Sequence, residues 1–268
     1  TVKEPPRGYT DPPGTMRRAS VSFAEGFREL ASKPSWWTNA IAATIASFCG
    51  YGISSFQALF LNRTFGLSAG EAAVWINVPV ALAGSLGALA TGWLAERLAR
   101  RYPSAIAWIP GFGMIVCVPF YLLAFSTHQL WVCAVALCVA GFSKYGYLAA
   151  QYTIGQGVVS AQVRAVSTAV MLFIINLLGY GLGPLFIGAL SDFLFRSKVL
   201  ELGAVDLTRK ACEGAARAAL STDLQGVCRI AHPESLQDSL LFTSLLYAIG
   251  GAFFLLTCRW LRRDMVTK

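Results

Sequence analysis

Lys144 is the one ionisable side chain set well inside an apolar stretch of this 268-residue chain. A lysine at the centre of a membrane helix costs about 2.5–3.5 kcal/mol on insertion scales, so such residues usually face a polar cavity. Tyr147 and Gln151 follow it at i+3 and i+7, on one helix face. A cation, a phenol and an amide in that order suit an anionic or zwitterionic head group. The competing reading is that Lys144 snorkels, burying its stem and sending the ammonium to the nearer interface. Other polar residues within apolar stretches are Tyr51, Ser54, Gln57, Asn77, Asn176 and Tyr180. Each serves equally well as an interhelical hydrogen bond, worth about 0.6 kcal/mol on average.

The elements that hold these residues follow from composition. The chain is 55% hydrophobic and only 13% charged, about half the charge of a soluble domain. That excludes a disordered chain, a coiled coil and an ordinary cytosolic enzyme. Six stretches are long enough to cross about 30 Å of hydrocarbon: 37–61, 72–95, 104–125, 130–152, 163–190 and 240–260. Backbone in lipid must pair internally, so the spans are helices and the fold class is an all-α polytopic membrane protein. Residues 1–35 read as a cytoplasmic linker plus an interfacial helix. Residues 36–268 read as a six-helix bundle with one long outer loop at 191–239.

The chain starts at Thr1, without a signal-like segment, and Pro5-Pro6 and Pro12-Pro13 mark an extended opening run through Arg18. A chain that starts inside a linker is expected to be part of something longer. Ser22 and Glu25 have capping-box spacing, and Phe23, Phe27 and Leu30 form the apolar stripe of a short helix lying on the membrane surface. Trp36-Trp37 then mark the interface.

The net charge of +8 is topological. With residue 1 inside, the inner segments carry Lys3, Arg7, Arg17, Arg18, Arg28 and Lys33, then Arg97, Arg100 and Arg101, then Arg164. They close with Arg259, Arg262, Arg263 and Lys268, whereas the short outer loops hold only Arg63. Both termini are therefore expected to be cytoplasmic, in the inner membrane if the source is bacterial. No basic tract interleaved with aromatic residues occurs, which argues against nucleic-acid binding.

Five cysteines (Cys49, Cys117, Cys133, Cys138 and Cys258) lie in or at the ends of spans, where a thiol acts as a small apolar residue. Cys212 and Cys228 share the outer loop, and a disulfide between them would stabilise by about 3 kcal/mol in the chain-entropy model, given an oxidising exterior. Asn62-Arg63-Thr64 matches a glycosylation sequon but abuts the membrane. Gly84, Ala88 and Gly92 repeat every four residues, the pattern of a helix-packing seam.

The segment Gly92-Trp93-Leu94-Ala95-Glu96-Arg97-Leu98-Ala99-Arg100-Arg101 resembles the Gly-x-x-x-Asp-Arg-x-Gly-Arg-Arg loop of the major facilitator superfamily, with Glu96 for Asp and Ala99 for the inner Gly. The bland reading is a positive-inside anchor. The resemblance implies a conformational latch built on Gly92, Glu96, Arg97, Arg100 and Arg101. Gly179-Tyr180-Gly181-Leu182-Gly183-Pro184 with Gly188 is similar to that superfamily's Gly-x-x-x-Gly-Pro element, a place for close helix approach at Gly179, Gly183, Pro184 and Gly188. The two motifs fall on the second and fifth of six spans, as a repeated six-helix half requires.

Within the superfamily the chain looks closest to the spinster-like branch. Val2-Lys3-Glu4-Pro5-Pro6-Arg7-Gly8 resembles that branch's linker after helix 6, and Arg164-Ala165, Phe173-Ile174-Ile175-Asn176, Gly183-Pro184 and Ser191-Asp192 resemble its helix 11. The resemblance covers the chain as helices 7 to 12. It implies a C-terminal half that works by alternating access with an N-terminal six-helix partner. It places Lys144, Tyr147, Gln151, Tyr51, Asn77 and Asn176 on helices that line the central cavity. The implied cargo is a lipid-like amphiphile such as a lysophospholipid or sphingoid phosphate. Proton coupling is compatible with it, the titrating carboxylate then lying in the other half. No metal or cofactor is expected.

Other classes fit less well. A six-span serine protease needs Gly-x-Ser-x-Gly, which Gly52-Ile53-Ser54-Ser55 fails. His128 and His232 fall in loops, and no His-Glu-x-x-His occurs. No arginine-rich sensor helix or filter loop suggests a channel subunit. A non-transporting assembly subunit or channel subunit remains the alternative.

Overall fold

The computed structural model describes residues 22–204, 207–212 and 218–266. The opening linker, including the 2–8 motif, lies outside the described residues. Every regular element described is helical: a short α1 (Phe23–Ala31) and six helices long and apolar enough to cross a membrane. These are α2 (Pro34–Phe65), α3 (Ala69–Ala99), α4 (Ala105–Ser126), α5 (Leu130–Gly157), α6 (Arg164–Glu201) and α7 (Thr222–Asp264).

The local starts and stops have identifiable causes. Ser22 and Glu25 close a full capping box on α1. The Ser22 amide and hydroxyl donate to the Glu25 carboxylate and hold it below the usual carboxylate range. Pro34 opens α2 at its first turn, where its missing N–H costs nothing, and Gly66 ends that helix with a φ of 73°, open to glycine without strain. Two π-helical segments, Ala72–Asn77 in α3 and Ile175–Gly181 in α6, lie just before Pro79 and Pro184. A proline removes one N–H and crowds the carbonyl four residues back. A wider turn ahead of it takes up that mismatch.

α2 and α7 form the central pair; α4 and α6 pack on α7, α5 bridges α2, α4 and α3, and α3 stands at the edge. Glycines set the close approaches. A Cβ on Gly183 would press into the Phe48 carbonyl, and one on Gly179 would lie 2.7 Å from Ser47 Cβ, so α6 rides on the α2 backbone there. Gly188 is different, meeting only the Phe56 ring at an ordinary 3.6 Å. On α3 the seam runs through Gly84 and Gly87, which face Tyr145 and the Phe142 backbone. Gly92 only touches Ala149 at 3.6 Å. The seam thus runs through Val80, Gly84, Gly87 and Thr91, mixing four- and three-residue steps as one helix face does, rather than repeating every four residues.

Residues 191–239, read from the sequence as a long outer loop, are helical over most of their length. α6 continues to Glu201 and α7 begins at Thr222. Charged residues ended the apolar pattern here, yet the helices continue because they pack on each other. Phe195, Val199, Leu207, Cys212, Cys228 and Ala231 form a separate small core. Lys198 Nζ bridges Glu234 at 2.7 Å and Asp238 at 2.8 Å, and Arg209 pairs with Asp192. The Cys212 and Cys228 sulfurs stand at bonding distance, with Cα atoms 5.3 Å apart.

α1 is only partly a surface helix. Phe23 and Phe27 are exposed and stacked, while Gly26 and Leu30 are buried. Glu29 anchors α1 to the α5–α6 turn by accepting from the Ser160 amide at 2.6 Å and its hydroxyl at 2.9 Å.

Candidate functional site

Lys144 ends the first of the two helical pieces that make up α5, Leu130–Lys144 and Tyr147–Gly157. Gly146 in the break packs against Thr91 of α3, where a Cβ would lie 2.7 Å from the hydroxyl oxygen. A cation in the last turn of a helical piece is favourably placed against its carbonyl end. The side chain turns inward, leaving Lys144 6% exposed, so it is held in the bundle rather than extended to an interface.

Its partners are phenols. Nζ donates to the Tyr247 hydroxyl at 3.3 Å. It also stands 4.9 Å from the Tyr145 ring centroid, 5.5 Å from Tyr121 and 5.6 Å from Tyr247. Tyr121 and Tyr247 stack in parallel, 5.5 Å apart, and fix two walls of this cage. No carboxylate lies within salt-bridge distance of Lys144 among the described residues. A buried ammonium held only by hydroxyls and ring faces keeps its attraction for an anion, since nothing nearby neutralises it.

A cleft of about 170 Å³ opens beside the ammonium between α2 and α5. It is lined by Ser47, Gly50, Tyr51 and Ser54 from one helix and Lys144, Tyr145, Tyr147 and Leu148 from the other. Gly50 lets the α2 backbone approach, as a Cβ there would lie 3.4 Å from the Tyr247 hydroxyl and 3.9 Å from Nζ. Tyr147 shares a 3.4 Å hydrogen bond with Ser47. Tyr51, half-exposed at the mouth, meets the exposed Tyr180 edge-on at 4.5 Å.

Of the six residues that the resemblance places on cavity-lining helices, the structure brings Lys144, Tyr147 and Tyr51 to this cleft, where Ser54, another polar residue of the spans, joins them. Gln151 does not line it: it stands one turn beyond Tyr147 along the same helical piece, past the end of the cleft. It is buried toward Asn39, whose side-chain amide donates to the Gln151 backbone carbonyl at 3.1 Å. Asn77 accepts from Gln57 at 2.7 Å, joining α3 to α2. Asn176 is exposed and donates to Leu172 O of its own helix at 2.8 Å. Sequence reasoning missed Tyr121, Tyr247 and Ser47. A tyrosine in an apolar span is the signal that would have found the first two, since a buried hydroxyl needs a partner.

The Gly92–Arg101 segment closes α3. Trp93, Glu96, Arg97 and Arg100 line an open cleft of about 470 Å³. Glu96 makes no ion pair with Arg97, Arg100 or Arg101 among the described residues.

Comparison with known proteins agrees with this architecture. The chain is 34% identical over 171 residues to an MFS-type efflux pump of Mycolicibacterium smegmatis, covering 64% of this chain and 40% of the pump. It is 22% identical over 297 residues to Protein spinster of Drosophila melanogaster, covering 98% of this chain and 48% of that protein. Two crystal structures of a bacterial homologue of the human lysosomal transporter Spinster superpose well. The inward-facing, unoccupied form matches with a TM-score of 0.86 and 34% identity over 99% of this chain and 56% of that one. The inward-facing, occupied form gives 0.82 and 33% over 100% and 55%. The chain thus spans about half the length of the relatives it matches. The family model of the Major Facilitator Superfamily matches residues 2–184, and the chain belongs to that superfamily.

Proposed function

We infer that this chain is the C-terminal six-helix half of a spinster-like secondary transporter for an amphipathic substrate, and that Lys144 receives the substrate's anionic or zwitterionic head group. The observation that carries the reading is a buried ammonium at the wall of a cleft, held by phenols and facing no carboxylate among the described residues. Tyr147, Tyr51 and Ser47 add hydrogen-bonding and aromatic surface beside it.

Alternating access fits a bundle that rocks as a unit against an N-terminal partner around a site near the midplane. The similarity to inward-facing structures of a spinster homologue supports this. Both termini then face the cytoplasm, in keeping with the inner placement of Arg97, Arg100, Arg101, Arg262 and Arg263. A lysophospholipid or sphingoid phosphate matches the cleft's chemistry. Proton coupling would use a carboxylate of the N-terminal half.

The test is ligand binding to the purified protein in detergent, with a lysophospholipid and an uncharged amphiphile of equal chain length. Lys144→Ala should weaken the charged ligand selectively; equal loss for both ligands removes Lys144 from head-group recognition.

A further inference from the structure

Two buried oxygen atoms are left over where α2 meets α5. Asn39 of α2 is fully buried and Gln151 of α5 is 3% exposed. Asn39 Oδ1 and Gln151 Oε1 have no hydrogen-bond partner among the described residues. The polar groups around them are paired. The Trp36 indole donates to Ser167 at 2.7 Å, and the Ser167 hydroxyl donates to the Gly155 carbonyl at 2.6 Å. One turn of α5 the other way, Tyr147 meets Ser47. Both oxygens are enclosed by this bundle itself, so no residue of a further six-helix half reaches them.

The Asn39 amide cannot simply be turned over. Its Nδ2 donates to the Gln151 backbone carbonyl at 3.1 Å and faces Met171 Sδ at 3.8 Å. Exchanging nitrogen and oxygen would set Oδ1 against another carbonyl oxygen. Oδ1 therefore needs a donor from elsewhere, because a buried acceptor without one bears its full desolvation cost. The same bond brings the two side chains to one meeting point, since Asn39 is held by the backbone of Gln151 itself.

Few ligands suit such a point. A hard cation takes about six oxygen ligands or more, and two amide oxygens do not neutralise a buried charge. A water molecule carries two O–H donors, one for each oxygen. We propose that Asn39 Oδ1 and Gln151 Oε1 hold one internal water between α2 and α5, one turn of α5 beyond the Tyr147 wall of the cleft. The water completes the polar seam that runs from Ser47 and Tyr147 to Trp36 and Ser167. It is independent of what the Lys144 cleft binds and stands or falls separately from the transport reading.

The experiment is X-ray radiolytic labelling of the purified protein, read by mass spectrometry. Radiolysis makes hydroxyl radicals from water in place, so a buried sulfur is oxidised only where a water lies beside it. Met171, next to Asn39, is the reporter. Met114, equally buried and packed on Gly250 of α7, is the control. Met171 should become the sulfoxide and Met114 should not. Dilute hydrogen peroxide added from solution should leave both intact, and Gln151→Leu should abolish the radiolytic oxidation of Met171. The parent protein alone decides the first point, so a poorly folding variant does not leave the question open. Met171 as inert as Met114 would mean that the Gln151 amide, turned over, donates to Asn39 directly, and would overturn the proposal. Oxidation of Met171 by peroxide, or undiminished labelling in Gln151→Leu, would overturn it as well. A last arm exchanges choline chloride for sodium chloride. A gain in thermal stability that Gln151→Leu loses would put a cation at the site and overturn the water.

Discussion

Asp264, in the last turn of α7, accepts hydrogen bonds from the Ser35 hydroxyl at 2.8 Å and the Ser35 amide at 3.2 Å, across 229 residues of chain. α2 has no side-chain cap of its own, because its N-cap residue is Lys33. A carboxylate from another helix therefore does that work, satisfying a free N–H and complementing the positive end of the helix. Arg263 donates to the other Asp264 oxygen at 3.1 Å. Nearby, Thr38 meets Thr257 at 2.9 Å and the Trp36 indole donates to Ser167 at 2.7 Å. The first turns of α2 are thus tied to both α6 and α7.

Asp264→Ala should therefore cost about 1–2 kcal/mol, the range for a lost cap plus an unsatisfied buried donor. Hydrogen exchange of the α2 amides from Ser35 to Thr38 should speed up, while α4 amides stay protected. Unchanged exchange at Ser35 would remove the capping role.

Two motif glycines separate cleanly. Gly183→Val should destabilise by about 1–3 kcal/mol, the usual range for overpacking, because its side chain would drive into the Phe48 carbonyl. Gly188→Ala should lie within about 0.5 kcal/mol of the parent protein, since the nearest atom is an ordinary van der Waals distance away. Thermal unfolding of the purified proteins measures both, and equal shifts would contradict the packing described.

Cys212 and Cys228 should resist alkylation in the denatured protein until a reductant is added. Cys212→Ser/Cys228→Ser should loosen the small core around Phe195 and Val199 by about 3 kcal/mol on the loop-entropy estimate. Limited proteolysis between α6 and α7 reads that loss. Full labelling without reductant would exclude the bond.

The capping box on α1 carries a pH dependence of known sign. Ser22 holds the Glu25 carboxyl below its ordinary range, the backbone hydrogen bond contributing most. Its contribution to α1 is present at neutral pH and is lost as pH falls through that depressed value. Protection of the α1 amides, measured against their intrinsic exchange rate at each pH, should fall in acid, and Glu25→Gln should abolish the acid-dependent step.

How much of this was readable in the sequence depends on how local each cause is. Six spans, the capping box at Ser22 and Glu25, and the special position of Lys144 follow from patterns within a few residues. The Tyr121–Tyr247 cage does not, since its rings come from α4 and α7 and meet Lys144 only after packing. Helical spacing gives Gln151 the same face as Tyr147, but it does not give how far along that face the cleft extends, and the cleft ends a turn short of Gln151, which meets Asn39 instead. Asp264 escaped notice because it sits among basic residues at the end of an apolar span, where nothing nearby reveals its partner Ser35. The extension of α6 and α7 past their apolar windows rests on Lys198, Glu234 and Asp238, pairings that hydropathy does not register.

The measurement that bears hardest on the Lys144 reading is binding of matched anionic and uncharged amphiphiles to the protein, to Lys144→Ala and to Tyr247→Phe. Loss of the ammonium should weaken the anionic ligand by roughly 10- to 100-fold, as for a charge-assisted hydrogen bond of about 1.5–3 kcal/mol, and leave the uncharged ligand nearly unaffected. Tyr247→Phe frees the ammonium from one hydroxyl and should change anion binding by less than Lys144→Ala does. If Lys144→Ala binds the anionic ligand as tightly as the parent protein, the cleft beside Lys144 is not where the head group sits.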